Sequence, residues 1–188
     1  LDGKTSVDVK VDATEVTGEF TDLEAVYVTN KANFANLGNE TVKITDATVT
    51  ATQANKIAGA TTGKVTATVT ADTAANLVTN STHAVSTDAL TLTVDNTTTA
   101  AADKLNTLDG RTSVNVNATL VTEITGNAAD IKTVLAAKTI TKAANVDATV
   151  SGVISAADAN TIAKATTGVV EATVDAGTAA ALKSALAG

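Results

Sequence analysis

The chain has 188 residues, of which 44% are hydrophobic but only 2% are aromatic. It contains no Cys, Met, Trp or Pro, which excludes a disulfide scaffold and thiolate metal sites. Its net charge of −7 argues against nucleic-acid binding, because such proteins need Lys and Arg to neutralise phosphates. No apolar run reaches the ~20 residues that span a bilayer, and the high hydrophobic content argues against disorder.

Two segments of the sequence occur twice. Leu1–Val7 returns as Leu108–Val114, and Val49–Val69 returns as Ile154–Val174, 105 residues later. Repeats of this kind are supersecondary pieces that bury a core by stacking on their neighbours. Because the sequence starts with Leu rather than Met, we expect a processed chain or a piece of a longer one.

Seven short runs alternate apolar and polar residues. A period of two with β-branched residues predicts half-buried strands, each with one apolar and one polar face. In chain order, the predicted strands are Val7–Val11, Val42–Ile44, Val65–Val69, Leu90–Val94, Val114–Val116, Val146–Val150 and Val170–Val174.

The segments between these runs carry apolar residues at helical spacing. Ile57, Leu105 and Ile162 occupy the same predicted helix position in three copies, and we expect them to be buried against strand valines at 65, 114 and 170. The predicted helices include the stripes Ala54/Ile57/Ala58 and Ala159/Ile162/Ala163 and the segments 18–28, 72–78, 126–135 and 177–186.

Helix boundaries are marked by capping residues and glycines. Thr50–Gln53 has the pattern of a capping box, and Ser155–Asp158 repeats it before the second copy. Gly63 and Gly168 each follow a Thr-Thr pair. We expect them to end the helices, because glycine takes a positive φ without steric cost.

Strands joined through helices by short linkers call for parallel pairing with right-handed crossovers. The strands of a closed parallel barrel are buried on both faces and have continuous apolar sequences, whereas the predicted strands here alternate apolar and polar residues. The sequence therefore predicts an α/β fold whose strand–helix modules form an open, one-sided parallel-sheet solenoid like the leucine-rich repeats, with a doubly wound α/β sheet as the alternative. We expect a single repeat array over 1–188, with approximate modules at 1–38, 39–63, 64–87, 88–110, 111–143, 144–168 and 169–188.

The sequence contains no motif of a catalytic or cofactor site, so we expect no enzyme activity, no catalytic residue and no cofactor. The one histidine, His83, lies in a predicted loop, and without cysteine a transition-metal site has few ligands. Most aspartates lie near strand ends or helix starts, where they are expected to act as caps. Calcium binding is the alternative, and its candidate ligands are Asp2, Asp109, Asp147 and Asp175.

The polar sides of the predicted strands would form an exposed face of the sheet. This face is rich in hydroxyl and amide groups and carries mixed charge. Its members are Thr66, Thr68, Thr91, Thr93, Asn115, Asp147, Thr149, Glu171 and Thr173.

The segment 157–174, together with the Gly-x-Ala-Ala-x-Leu-like segments at 126–131 and 177–182, resembles the Ala/Thr/Val-rich tandem repeats of large extracellular bacterial proteins. Such repeats belong in particular to cyanobacterial surface and RTX-type proteins, and the resemblance covers most of the chain. It implies a structural role at the cell surface or in a secreted protein, and carries over no catalytic residue. The calcium-binding nonapeptides found elsewhere in such proteins are missing from this sequence.

We therefore expect a structural repeat module of a bacterial surface or secreted protein: a stalk, a surface-layer component or an extracellular filament subunit. Its partners would be further copies or neighbouring repeats, bound head to tail through the ends or edges of the array. The alternative is an adhesin or carbohydrate-binding module that contacts a glycan or surface with the polar sheet face.

Overall fold

The computed structural model describes residues 9–95 and 98–186. Within these ranges the chain has an α/β fold of parallel strands and seven α-helices. The strands are β1 Val9–Lys10, β2 Glu15–Gly18, β3 Phe34–Ala35, β4 Thr41–Ile44, β5 Val65–Thr68, β6 Ala89–Thr91, β7 Thr99–Ala101, β8 Val116–Ala118, β9 Glu123–Gly126, β10 Ile140–Lys142, β11 Asp147–Ile154 and β12 Val170–Val174. The helices are α1 Phe20–Glu24, α2 Ala51–Ala58, α3 Ala74–Asn80, α4 Ala102–Asp109, α5 Ala128–Ala136, α6 Ala156–Ala165 and α7 Ala179–Leu186. Helix α1 continues as a π-helix over Ala25–Thr29, and a short 3-10 helix covers Lys31–Asn33.

The chain divides into two compact units. Unit 1 comprises Leu1–Thr70, Leu77–Leu92 and Gly110–Val114, and unit 2 comprises Ala71–Asn76, Thr93–Asp109 and Asn115–Gly188. Unit 1 contains a sheet with the strand order β2-β4-β5-β6 and the pair β1-β3. Unit 2 contains a sheet with the order β7-β9-β11-β12 and the pair β8-β10.

Within each sheet, the strands lie side by side in the same order as they follow one another along the chain. All the pairs between the named strands are parallel, as the sequence predicts. Partners in neighbouring strands are close to one module apart: the side chains of Thr99 and Glu123, for example, bond across 24 residues. In the structure, we use module for one strand with the turn that leads into it and the helix that follows it, so Glu40 belongs to the module of β4 and the turn at 61–63 begins the module of β5. No sheet closes on itself within the described ranges.

The core of each unit consists mainly of the aliphatic side chains of Ala, Val, Leu and Ile. In unit 1, Ile57 and Val65 are buried, as are the larger Phe20, Leu23 and Tyr27 of the first helical segment. In unit 2, Leu105 and Ile162 are fully buried. The predicted burial of Ile57, Leu105 and Ile162 is therefore confirmed, whereas their predicted strand partners Val114 and Val170 are not buried.

The strand predictions agree with the structure in part. The predicted strands beginning at Val42, Val65, Leu90, Val146 and Val170 overlap β4, β5, β6, β11 and β12, while Val7 and Asp8 lie outside the described residues. The prediction at Val114–Val116 is wrong at its start. Val114 is 37% exposed and donates its N–H to the Thr112 hydroxyl in a turn, so pairing begins only at Val116. Five short strands were not predicted: β2, β3, β7, β9 and β10.

The predicted helix starts are confirmed at atomic level. Thr50 Oγ1 accepts the Gln53 N–H at 3.2 Å, and Gln53 Oε1 accepts the Thr50 N–H at 2.8 Å. These two bonds are the capping box that the sequence predicts. Before α6, Ser155 Oγ accepts the Asp158 N–H at 3.0 Å and so caps the helix.

The role predicted for Gly63 and Gly168 is wrong. Helices α2 and α6 end at Ala58 and Ala165, and neither glycine has a positive φ. Glycine is required at Gly63 by a close approach of the neighbouring module, because a Cβ there would lie 2.0 Å from the carbonyl oxygen of Glu40. A Cβ on Gly168 would lie 2.5 Å from the carbonyl oxygen of Val146.

These glycines belong to turns that are organised by a threonine hydroxyl. Thr61 Oγ1 accepts the Gly63 N–H at 3.0 Å and donates to the Glu40 carbonyl at 2.8 Å. The hydroxyl thus closes its own turn and ties it to the preceding module. In the part of the chain that the structure describes, threonine turns of this type occur at 61–63, 112–114 and 166–168.

Carboxylates make the corresponding ties in other modules. Asp88 Oδ1 accepts the Val65 N–H at 2.7 Å, and its Oδ2 accepts the Val85 N–H at 3.0 Å. Asp147 Oδ1 accepts the Val169 N–H at 2.7 Å. Such charge-assisted bonds to backbone N–H groups are stronger than neutral ones. They give these aspartates a structural role in the turns between modules.

Candidate functional site

The residues of the predicted polar face are divided between the two units, and their role as a common face stays a prediction. In unit 1, Thr68 and Thr91 are exposed and face each other across the β5–β6 pair, and Thr66 is half-buried. In unit 2, Thr149 lies beside Glu171 across the β11–β12 pair. Of the other predicted residues of unit 2, Asn115 and Thr173 are exposed, and Thr93 and Asp147 are half-buried. Asn115 precedes β8, and it is Asn117 that pairs with Thr93.

On this face of unit 2, the carboxylate of Glu123 accepts two side-chain hydrogen bonds, and this residue was not predicted from the sequence. Its Oε1 accepts the Thr149 hydroxyl at 2.7 Å, and its Oε2 accepts the Thr99 hydroxyl at 3.0 Å. The hydrogen bond from Thr149, followed by that from Thr99, holds the pKa of the Glu123 carboxyl below its ordinary value. The signal in the sequence was Glu123-Ile-Thr-Gly, which repeats Glu15-Val-Thr-Gly.

The calcium candidates lie at separate places in the fold. Asp2 lies outside the described residues, Asp109 ends α4, and exposed Asp175 follows β12. The carboxylate of Asp147 accepts a backbone N–H instead. Within the described ranges, no group of three or more acidic or histidine side chains is placed to hold a metal ion. Calcium binding at these residues stays a prediction.

A buried carboxylate in unit 1 was not predicted. Glu40 is 2% exposed, and its Oε2 accepts bonds from the Gly38 N–H at 2.8 Å, the Asn39 N–H at 3.1 Å and the Tyr27 hydroxyl at 3.1 Å. Burial opposes ionisation, but these donors outweigh it and hold the pKa of Glu40 below its ordinary value. Burial, and then the charge of Glu40, raise the pKa of Tyr27.

Replacing Glu40 with glutamine is expected to destabilise the protein by roughly 1–3 kcal/mol at neutral pH. Glu40 Oε1 is buried and has no hydrogen-bond partner in the described part of the chain, so an amide NH₂ there would be an unpaired donor. Because the folded state lowers the pKa of Glu40, its ionisation stabilises the fold above the unfolded value of about 4.3. This contribution is lost as the pH falls through the folded pKa.

Urea unfolding of both proteins at several pH values between 3 and 7 tests this expectation. The difference in stability between wild type and Glu40→Gln should shrink as the pH falls. Glu15→Gln, at an exposed position of β2, serves as the control and should differ little from wild type. If the free energy of unfolding changed with pH in the same way for wild type and Glu40→Gln, the role assigned to the carboxylate would be contradicted.

A cleft opens among the helical segments of unit 1. Its volume is about 340 Å³, and its lining includes Val28, Lys31, Lys56, Gly59 and His83. His83 is exposed, as expected, but its backbone is fixed: its N–H donates to Asn55 Oδ1 at 2.6 Å. The Asn55 amide nitrogen lies 3.1 Å from His83 Nδ1. This cleft was not predicted from the sequence, because its residues come from three separated segments.

Unit 2 has an apolar surface at its outermost strand. Val170, Ala172 and Val174 of β12 are half-exposed and line a concavity of about 220 Å³ with residues of α6. Their counterparts in the first copy of the repeat are Val65, Ala67 and Val69, which are at most 4% exposed. In unit 1 the next strand, β6, covers β5 and brings the buried Leu90 beside Ala67. The β12 surface is therefore a strand edge with an uncovered apolar layer.

No helix in the described ranges has the length and apolar character to cross a membrane. Comparisons of the chain with protein-family models, with curated proteins and with solved structures found no match.

Proposed function

We propose that the protein is a structural repeat module of a bacterial cell-surface or secreted protein and has no enzymatic role. Each unit would be a stack of strand–helix modules in a one-sided solenoid, and copies would associate through the uncovered edge of β12. A stalk, a surface layer or a filament would each be assembled through such edge contacts between copies. A location outside the cell or on its surface belongs to the same proposal.

The order of the strands supports the solenoid. A sheet that adds parallel strands in chain order, with partners about one module apart, grows by simple repetition. The threonine turns and the turn aspartates support it further, because they tie each turn to the neighbouring module. A doubly wound sheet would instead contain a reversal of strand order.

The single observation that carries the self-association is the exposure of the β12 layer. Val170, Ala172 and Val174 present apolar side chains beside an unpaired strand edge, and Val169 and Val153 nearby are 72% and 62% exposed. Edges of this kind pair with another strand unless they are protected. The occupant that fits best is a strand–helix module of the same type, supplied by a second copy, because such a module covers the equivalent residues of β5.

Sedimentation velocity and light scattering over a wide concentration range, with and without calcium, test the proposal. The wild-type chain is expected to form oligomers as the concentration rises. Ala172→Lys places a charge in the apolar layer of β12 and should weaken association at least about tenfold. Thr173→Lys adds the same charge to the polar side of the same strand and is the matched control.

Monodisperse monomers at the highest concentration, under both calcium conditions, would overturn self-association. Equal effects of the two lysine variants would show that the edge itself, or simple charge, matters rather than the apolar layer.

An adhesin that uses the polar sheet face is the second candidate. The observation that favours it is the ordered Thr99–Glu123–Thr149 group, which holds a carboxylate at a fixed place on the face of unit 2. A glycan array tests it: selective binding that is lost in a Glu123→Gln variant and kept in a Thr66→Lys/Thr91→Lys variant of unit 1 would favour this function, at the polar face of unit 2, over the structural one.

A further inference from the structure

We propose that the cleft of unit 1 binds a small organic carboxylate. This inference goes beyond the structural role and does not depend on it. It rests on the placement of Lys31, Lys56 and His83 around a concavity. The second copy of the repeat has other residues at the positions that correspond to these, 105 residues later.

The cleft is lined by basic side chains in a protein of net charge −7, and one of them, Lys56, forms an ion pair with Glu24 at 2.7 Å. Among the described residues that line it, two are lysines, one is the single histidine of the chain, and none is acidic. Val28, which is 46% exposed, adds an apolar wall. An anion with a small apolar body matches this combination of groups.

Both ammonium groups are held in place and retain donors for a ligand. Lys31 Nζ donates to the Ala60 carbonyl at 2.7 Å, and Lys56 Nζ donates to Glu24 Oε1 at 2.7 Å. A lysine ammonium has three N–H donors, so each has donors beyond this one bond. The lysines are thus oriented before a ligand arrives, which lowers the entropy cost of binding.

The floor of the cleft depends on Gly59. A Cβ at this position would lie 3.1 Å from Cγ of His83, so the absence of a side chain allows the imidazole ring to lie against the backbone of residue 59. Asn55, one helical turn before Gly59 on α2, fixes the His83 backbone. The histidine therefore has a defined position although it is exposed.

The internal repeat provides a comparison. Ala58-Gly59-Ala60-Thr61-Thr62-Gly63 corresponds to Ala163-Lys164-Ala165-Thr166-Thr167-Gly168, so the glycine of the cleft is a lysine in the second copy. The Tyr27–Val28 wall belongs to a π-helix, whereas the corresponding helix of unit 2, α5, is a continuous α-helix. Short π-helical segments are frequent at functional sites. The features that form the cleft are thus departures from the repeat pattern.

The volume sets the size of the ligand. About 340 Å³ is near the lower end of the range for small-molecule sites. A ring of six atoms with one carboxylate is therefore a suitable probe, and benzoate has this form. Benzamide has nearly the same shape without the charge, and inorganic phosphate has charge without the apolar body.

Titration of the ¹⁵N-labelled protein with these three probes, followed by NMR, tests the proposal. Benzoate is expected to give saturable shifts at the amides of Gly59, Ala60 and His83, and benzamide is not. Lys31→Met should weaken benzoate binding at least about tenfold, as expected for the loss of a charge-assisted contact. Lys138→Met removes the same charge from an exposed position outside the cleft and should change the affinity less than about twofold.

A second variant keeps the test decisive if Lys31→Met does not fold. Gly59→Leu introduces a bulky uncharged side chain where a Cβ would already lie 3.1 Å from His83 Cγ, so it should displace the His83 ring and abolish the saturable shifts. The proposal is overturned by an absence of saturable shifts with benzoate, by equal binding of benzamide, or by equal effects of the two methionine variants. Saturation by phosphate but not by benzoate would overturn the choice of an organic carboxylate.

Discussion

Replacing Gly63 with alanine is expected to lower the free energy of unfolding by about 3 kcal/mol or more. The new Cβ would lie 2.0 Å from the carbonyl oxygen and 2.4 Å from the carbonyl carbon of Glu40. Both atoms belong to the backbone of the neighbouring module, so no side-chain rotation relieves the overlap. The Thr61 hydroxyl ties the same two segments together and would resist their separation.

Urea unfolding monitored by circular dichroism measures this loss. Gly18→Ala is the matched control, because the nearest atom to a Cβ there is Leu23 Cγ at 3.7 Å, an ordinary contact. The control is expected to change stability by less than about 1 kcal/mol, since alanine also reduces the entropy of the unfolded chain. Similar losses for the two variants would contradict the close approach seen at Gly63.

The second large effect is expected for Ile162→Ala, at about 2–5 kcal/mol. Ile162 is fully buried on α6, where the other buried residue is Ala159, so no large side chain of this helix could fill the cavity. Modules in repeat proteins couple mainly to their neighbours. We therefore expect the loss of stability to begin in unit 2.

Hydrogen exchange read residue by residue checks the location of the effect. Ile162→Ala should lose amide protection in α6, β11 and β12 first, while residues 9–70 stay comparatively protected. Ile57→Ala, the equivalent change in unit 1, should produce the opposite distribution. A uniform loss of protection in both variants would contradict local coupling between modules.

Much of the fold could be predicted because its signals are local. The alternating runs in β4, β5 and β12, and the capping pairs before α2 and α6, specify strands and helix starts within a few residues. Parallel pairing followed from the short linkers between strands and helices. These features depend on neighbouring residues in sequence and are therefore readable from it.

The features that could not be predicted depend on the neighbouring module. Strands β2 and β9 each have one apolar residue, Val16 or Ile124, between polar ones, and they exist because the adjacent strands pair with them. Glycine at Gly63 is required by the backbone of Glu40, 23 residues earlier, rather than by its own φ. No pattern within a single module contains that information.

The candidate sites were hidden for the same reason. Glu123 is an ordinary strand residue in sequence and becomes notable only because Thr99 and Thr149 lie on both sides of it. The cleft combines a π-helix, the end of α2 and the loop at His83, and its residues are not close in sequence. The sequence shows that Gly59 corresponds to Lys164 in the second copy of the repeat. It does not show that His83 lies against residue 59, which is the reason that the difference matters.

The threonine turns also bear on how such a sequence could have lengthened by duplication. The hydroxyls of Thr61, Thr112 and Thr166 close these turns, and they follow one another at intervals of 51 and 54 residues. Bonded partners in neighbouring strands are about 24 residues apart, so a threonine turn comes at about every second module. Gain or loss of one module in a gene would break this spacing. Inherited changes in length are thus expected in pairs of modules, which makes the genetic unit twice the structural one.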